Sequence, residues 1–187
     1  MKRIHDTNLV FIHIPKTGGL SVVDAFGLKH ETADHFIDAE YLTDDYVRFC
    51  IVRHPVDRFV SAYKYNCNLE LPKGNVRYQM HKHNLCNDIN KFINYFQDNI
   101  KSITDLIHFK PQFTWINTCR PTHILNFNNL EIDLERVVPH ARKYYKGLPH
   151  INKSRQSKTM NITLNNINRG KILSWYKTDM NIYNNIS

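Results

Sequence analysis

The sequence predicts an α/β fold with a central, mostly parallel sheet flanked by helices. Short apolar runs alternate with segments of helical periodicity, and the first two apolar runs each end at a proline-containing loop. Strands that alternate with helices are typical of a parallel sheet that is buried on both faces. A length of 187 residues with 42% hydrophobic content fits a single domain over 1–187 with a proper core.

The first strand, loop and helix are predicted over 9–26. The apolar run 9–14 has the length of a buried strand, and Pro15 ends it. Gly18 and Gly19 then indicate a tight turn. Apolar residues recur at every third position over 20–26, which predicts a helix. Strand, glycine turn and helix in this order begin an α/β unit.

The second strand is predicted over 47–52, where another apolar run is followed by Arg53 and His54. Pro55 suits the first turn of a helix, and the apolar residues over 59–63 supply the buried face of that helix.

The rest of the chain continues the alternation. The polar and aromatic region 66–83 predicts a long surface loop. Helix, helix, strand, helix and helix follow in order over 89–96, 109–116, 122–127, 130–138 and 167–183. Because ligands of parallel α/β sheets bind at the carboxyl ends of the strands, the loops after residues 14 and 52 mark the candidate site.

Composition narrows the classes of partner. A formal net charge of +8 favours anions, which include nucleic acid, an acidic membrane surface and small polyanions. The basic residues are dispersed without a run or a tail, so a dedicated nucleic-acid arm is disfavoured. No apolar run is long enough for a signal peptide or a membrane span, and we expect a cytoplasmic protein without membrane association.

Cysteine and histidine usage argues against a metal or disulfide framework. The four cysteines form no CxxC pair, so neither a disulfide framework nor a structural zinc site is expected. His81, His83 and Cys86 could form a metal cluster, but three such residues in a polar segment are usually only part of a loop. We expect no metal.

The segment 15–21 has the parts of an oxyanion cradle. Gly18 and Gly19 let backbone N–H groups approach an anion, Lys16 adds a positive charge, and Ser21 places a hydroxyl in the first helical turn. A plain glycine turn with a solvated lysine explains the same residues. The P-loop of kinases and NTPases places its lysine after the glycines, whereas Lys16 precedes them, so a kinase is disfavoured.

Two segments together resemble the sulfotransferases that use 3′-phosphoadenosine 5′-phosphosulfate (PAPS), most closely the branch with carbohydrate and heparan 2-O-type enzymes. The first is similar to the family's 5′-phosphosulfate loop and reads FIHIPKTGG at 11–19. The second is similar to its 3′-phosphate motif and reads FCIVRHPVDRFVSAY at 49–63. His54 stands where the family usually has Asn or Asp. The resemblance implies a P-loop-like sulfotransferase fold, with PAPS as donor and 3′-phosphoadenosine 5′-phosphate (PAP) as product. A divalent metal is less necessary, because the sulfuryl group carries less negative charge than a γ-phosphoryl group, and the sequence shows no carboxylate pair suited to hold one.

The resemblance also implies roles for individual residues. It assigns the binding of the donor to Lys16, Thr17, Gly18, Gly19, Leu20, Ser21, Arg53 and Ser61, and to Lys153 and Ser154 of a late His-x-Asn-x-Ser motif. His108, in a His-x-x-Pro-Gln segment, is implied to bind the acceptor. Lys16 is expected to be catalytic, because it would neutralise charge on the oxygen that leaves with the 5′-phosphate, an effect on the order of 3 kcal/mol.

A base must accept the proton of the acceptor hydroxyl. His30 precedes the Arg53 motif much as the presumed catalytic histidine does in related sulfotransferases, and His35 is the second candidate. Glu31 and Asp34 remain open alternatives.

The sequence therefore predicts an enzyme that moves the sulfuryl group of PAPS to an acceptor hydroxyl. By resemblance the acceptor is a carbohydrate, and the positive charge suits an acidic or sulfated glycan. One alternative is a module that binds PAP without catalysis, and a less favoured one is a basic nucleic-acid-binding protein. The sequence makes no prediction about the oligomeric state.

Overall fold

The computed structural model describes residues 2–29, 39–68, 76–149 and 162–186. The chain groups into two compact units. The unit named here the sheet unit comprises Met1–Arg53, Gln112–Asn152 and Asn181–Ser187, and the unit named the helical unit comprises His54–Pro111 and Lys153–Met180. A single domain over 1–187 stays a prediction.

Within the described residues, four strands form one sheet in the order β1-β2-β3-β4. They are β1 Lys2–Arg3, β2 Leu9–Ile12, β3 Val47–Val52 and β4 His123–Asn126. β2, β3 and β4 run parallel, and β1 pairs antiparallel with β2. The predicted α/β fold with a mostly parallel sheet is confirmed. The edge strand β1 was not predicted, because two residues carry no periodicity.

Nine α-helices lie in the part of the chain that the structure describes. They are α1 Gly19–Ala25, α2 Pro55–Cys67, α3 Val76–Lys82, α4 Ile89–Phe96, α5 Ile100–Thr104, α6 Phe113–Cys119, α7 Leu130–Leu134, α8 Asn166–Trp175 and α9 Lys177–Asn184. None of the helices in these described stretches is long and apolar enough to cross a bilayer.

Both faces of the sheet are buried, which explains why its strands are continuous apolar runs. One face contributes to a core that includes α1 and α7, through Leu9, Phe11, Phe49, Ile51 and Leu125. The side chains that alternate with these are equally buried, and they are Val10, Ile12, Cys50 and Val52.

A buried arginine fixes the start of β3. Arg48 is only 5% exposed. Its guanidinium donates hydrogen bonds of 2.6 to 3.1 Å to the carbonyl oxygens of Tyr41, Thr43, Tyr46 and Arg120. These acceptors satisfy a cation that would otherwise be destabilising in the interior.

The helical unit has its own apolar core, built on the inner face of α2. Phe59 and Tyr63 of α2 pack against Phe92 of α4 in this cluster. Arg58 donates to the carbonyl oxygen of Lys110 at 2.9 Å, which fastens the start of α2 to the turn after α5.

Two sequence predictions about helices are wrong in detail. The region 66–83 is not one long loop, because α2 continues to Cys67 and α3 follows. Met80 of α3 is fully buried, but most of the other residues of this helix are polar, so the local sequence shows no helical period. The last predicted helix is divided into α8 and α9 at Tyr176, whose hydroxyl donates to the carbonyl oxygen of Phe109 at 2.5 Å.

Candidate active site

The candidate site lies at the carboxyl edge of the sheet. Ile12 pairs with Cys50, and Val52 pairs with Asn126, so the three parallel strands end on the same side. The loops that follow them carry Lys16, Arg53 and Phe127 respectively. This edge is where parallel α/β sheets bind ligands.

The first two loops touch each other. Nη1 of Arg53 donates to the carbonyl oxygen of Lys16 at 3.4 Å. Both side chains are half-buried. The structure thus brings together two residues that are separated by 37 positions and that the sequence assigned to opposite ends of one ligand.

The loop after β2 has an unusual backbone. Lys16 has a φ of 69° and Gly18 a φ of 83°, both in the left-handed region. For a residue with a side chain this conformation is unfavourable by roughly 1 to 2 kcal/mol. Buried Thr17 stabilises the turn, since its hydroxyl donates to the carbonyl oxygen of Ile14 at 2.9 Å. Backbone strain of this kind is concentrated at functional sites.

Both glycines of this loop are required by close packing. A Cβ atom on Gly19 would lie 2.2 Å from the imidazole of His13, and one on Gly18 would lie 2.8 Å from the ring of Phe127. The His13 ring stacks in turn on Phe11, with 5.7 Å between the ring centroids. The glycine content therefore has a structural cause of its own, and the case for an anion site depends on the basic residues and the backbone conformation.

Arg53 is held at both its backbone and its side chain. Its N–H donates to Oε1 of Gln112 at 3.0 Å, and its carbonyl oxygen accepts from Nε2 of Gln112 at 2.9 Å. Gln112 is 1% exposed. Its side-chain amide makes with the Arg53 backbone the pair of hydrogen bonds that a neighbouring strand would make beyond the end of β3. The guanidinium carbon of Arg53 lies 4.5 Å from the centroid of the Phe127 ring, within cation–π range.

The position of Phe127 is fixed by the turn after β4. The N–H of Asn126 donates to the buried carboxylate of Asp133 at 2.7 Å. The side-chain oxygen of Asn126 then accepts from the N–H of Asn128 at 2.9 Å. These bonds direct the chain so that the Phe127 ring contacts both Gly18 and Arg53.

A family model described as "Sulfotransferase family" matches residues 2–184. The chain belongs to the sulfotransferase family. Membership supports sulfuryl transfer, and hence a transferase of sulfur-containing groups that acts on an acceptor with a hydroxyl; the family typically uses PAPS. No curated protein and no solved structure matches the chain.

The other donor-binding residues predicted for this sulfotransferase occupy several positions. In α1, Leu20 is 49% exposed and Ser21 is half-buried. Ser61 is half-buried on α2. His30, His35, Lys153 and Ser154, as well as Glu31 and Asp34, lie outside the described residues. The roles of all these residues stay predictions.

His108 of the sulfotransferase belongs to a polar cluster of the helical unit, which we name the Tyr65–Arg77–His108 cluster. Nη2 of Arg77 lies 3.5 Å from Nδ1 of His108, and the rings of Tyr65 and His108 have centroids 4.4 Å apart. Fully buried Asn66 orients Arg77, since its Oδ1 accepts from Nε of Arg77 at 2.7 Å.

Gln112 and Phe127 are the positioning residues that the sequence did not identify. Gln112 lies in the His-x-x-Pro-Gln segment, which offered a signal without a role. Phe127 was seen only as the end of a predicted strand. Within the described stretches, no three His, Cys, Asp or Glu side chains gather where they could hold a metal ion.

Proposed function

We propose that this sulfotransferase moves the sulfuryl group of PAPS to a hydroxyl of an acidic glycan, and that the carboxyl edge of its sheet binds the donor in a P-loop-like manner. The observation that carries the proposal is the contact between the Arg53 side chain and the backbone of Lys16, which brings two basic residues together at a loop with a left-handed backbone. PAP has a phosphate at each end of its ribose, so two neighbouring cations suit it.

Arg53 is suited to hold a phosphate. A guanidinium has five N–H donors in one plane and grips phosphate through two of them. Stacking on Phe127 uses the face of that plane, and the clamp by Gln112 fixes the backbone from which the side chain extends. By resemblance this phosphate is the 3′-phosphate, and Lys16 faces the 5′ end.

The chemistry requires alignment and charge stabilisation rather than a covalent enzyme intermediate. When bound, PAPS supplies a sulfuryl group joined through oxygen to its 5′-phosphate. Lys16 neutralises the negative charge that develops on that oxygen as the sulfur–oxygen bond breaks. A base, for which His30 and then His35 are proposed, takes the proton from the acceptor hydroxyl.

The Tyr65–Arg77–His108 cluster supports an acidic acceptor. Tyr65 is 39% exposed and offers an aromatic surface, and Arg77 offers a positive charge whose position is set by Asn66. Among the described residues, no carboxylate forms an ion pair with Arg77. An arginine held in this way favours a ligand with carboxylate or sulfate groups. The net charge of +8 acts in the same direction.

The test combines binding and transfer. Calorimetry with PAP and transfer of labelled sulfate from PAPS to a panel of acidic glycans are measured for the wild type, Lys16→Ala and Arg53→Ala. We expect the wild type to bind PAP and transfer sulfate. Lys16→Ala lowers turnover by about 100-fold, and Arg53→Ala chiefly weakens PAP binding.

Exposed basic residues provide matched controls. Lys91→Ala on α4 and Arg142→Ala in the sheet unit remove the same charges elsewhere, and we expect both to behave like the wild type. Wild-type protein that binds no PAP would contradict the proposal. PAP binding without transfer to any acceptor in the panel would instead indicate the non-catalytic nucleotide-binding module.

A further inference from the structure

Two cysteines lie side by side in the helical unit, although the sequence separates them widely. Cys67 is the last residue of α2, and Cys86 lies in the 3₁₀ turn Leu85–Asn87. Both are partly buried. Their side chains are close enough for a hydrogen bond between the two thiols.

This juxtaposition is enforced by contacts other than the sulfur atoms themselves. Tyr63 precedes Cys67 by one helical turn, and its hydroxyl donates to the carbonyl oxygen of Leu85 at 2.8 Å. Leu85 is the neighbour of Cys86. Both cysteines also pack against the same apolar core of the helical unit. The end of α2 and the 3₁₀ turn are therefore held together whether or not the thiols interact.

The pair is chemically asymmetric. The hydrogen bond from Cys67 stabilises the thiolate of Cys86 and lowers the pKa of Cys86 below the ordinary value for cysteine. The same hydrogen bond and burial raise the pKa of Cys67. A thiolate is the nucleophile in disulfide exchange, so we expect Cys86 to attack and Cys67 to resolve the mixed disulfide.

The other two cysteines lack this reactivity. Cys50 of β3 and Cys119 of α6 are both fully buried. Burial raises the pKa of Cys50, which keeps it protonated. Buried thiols of this kind are inert toward reagents in solution.

We propose that Cys67 and Cys86 are a redox modification site that forms a reversible disulfide by exchange with a small-molecule disulfide of the oxidised glutathione type. The Cys86 thiolate attacks one sulfur of the reagent, a mixed disulfide forms, and the first thiolate of the reagent leaves. Cys67 then loses its proton to solvent and attacks the sulfur of Cys86, which expels the second thiolate. The protein dithiol loses two electrons, and the reagent is reduced to two thiols.

The disulfide ties the end of α2 to the 3₁₀ turn and closes a loop of about 20 residues. Closure of such a loop restricts the unfolded chain and stabilises the folded one. For a chain of this length we expect the midpoint of thermal unfolding to rise by roughly 6 to 12 °C. This inference does not depend on the proposed function.

In the test, the purified full chain is treated with oxidised glutathione and then analysed by mass spectrometry and by thermal unfolding. We expect the mass to fall by two hydrogen atoms, a cross-linked peptide to join Cys67 to Cys86, and the midpoint to rise. Reduction with dithiothreitol should reverse all three.

Single variants separate the two roles. Cys67→Ser should accumulate a stable glutathione adduct on Cys86, Cys86→Ser should lose the cross-link and react more slowly, and the control Cys50→Ser should form the cross-link as the wild type does. The inference is overturned if oxidised wild type keeps both thiols open to alkylation, retains the adduct on Cys86 without resolution, or forms its cross-link between another pair.

Discussion

Replacement of Gln112 by methionine should destabilise the protein and weaken donor binding together. The Gln112 amide makes two hydrogen bonds with one residue, accepting from the N–H of Arg53 and donating to its carbonyl oxygen. Methionine has similar length and can fill the buried space, but it offers neither a comparable donor nor a comparable acceptor. The substitution therefore removes the clamp with little change in packing.

The magnitude follows from the number of bonds. Each buried polar group that loses its partner is destabilising by about 1 to 3 kcal/mol, and the partly buried position of these groups favours the lower half of that range. For two groups we expect a loss of about 2 to 4 kcal/mol in the free energy of unfolding. Gln112→Glu should be at least as damaging, because a carboxylate would face the Arg53 carbonyl oxygen.

Urea denaturation gives the free energy of unfolding, and calorimetry gives PAP affinity at a temperature where the variant is folded. Both should decrease, since the Arg53 backbone is no longer fixed. A Gln112→Met variant within about 0.5 kcal/mol of wild-type stability and with unchanged PAP affinity would show that the Gln112 amide does not fix Arg53.

Four further substitutions test the packing of Gly19, acceptor binding and the pH dependence of stability. Gly19→Ala should lower the free energy of unfolding by about 1 to 3 kcal/mol, because the added methyl group overpacks the loop. Gly170→Ala lies in an open position of α8 and should raise the free energy of unfolding by about 0.5 to 1 kcal/mol. If the two variants had the same midpoint of thermal unfolding, close packing at Gly19 would be contradicted. Arg77→Gln should raise the KM for an acidic glycan and leave kcat and PAP affinity unchanged, and steady-state kinetics with the same KM as wild type would exclude Arg77 from acceptor binding. Burial lowers the pKa of His54 below its ordinary 6.5, so the unfolded chain binds the proton more readily than the folded one. Stability should therefore fall as the pH drops below about 6.5. His54→Asn should flatten that decline in urea denaturation at a series of pH values, and an unaltered pH profile would show that His54 is not its source.

Much of the sheet was predictable because its strands are short, continuous apolar runs. β2 and β3 are buried on both faces, and this burial leaves a clear signature at 9–14 and 47–52. α3 shows no such signature, because most of its residues other than the buried Met80 are polar. A helix that is held in place by one contact with a distant part of the chain leaves no periodic pattern in its own sequence.

The candidate site was likewise predictable only in part. The order of residues around Lys16 and Arg53 is a local pattern, and the sequence alone indicated that both would lie at strand ends. The clamp by Gln112 and the stacking of Phe127 are formed by residues 59 and 74 positions from Arg53, so no local pattern contains them. The pairing of Cys67 with Cys86 could not be predicted from the sequence for the same reason.

The most direct test of the proposed donor site is a crystal structure of the protein with PAP bound. We expect one PAP molecule at the carboxyl edge of the sheet, with its 5′-phosphate against Lys16 and the loop after β2, and its 3′-phosphate against the guanidinium of Arg53. A structure in which PAP is bound elsewhere, or in which neither phosphate contacts these two residues, would contradict it.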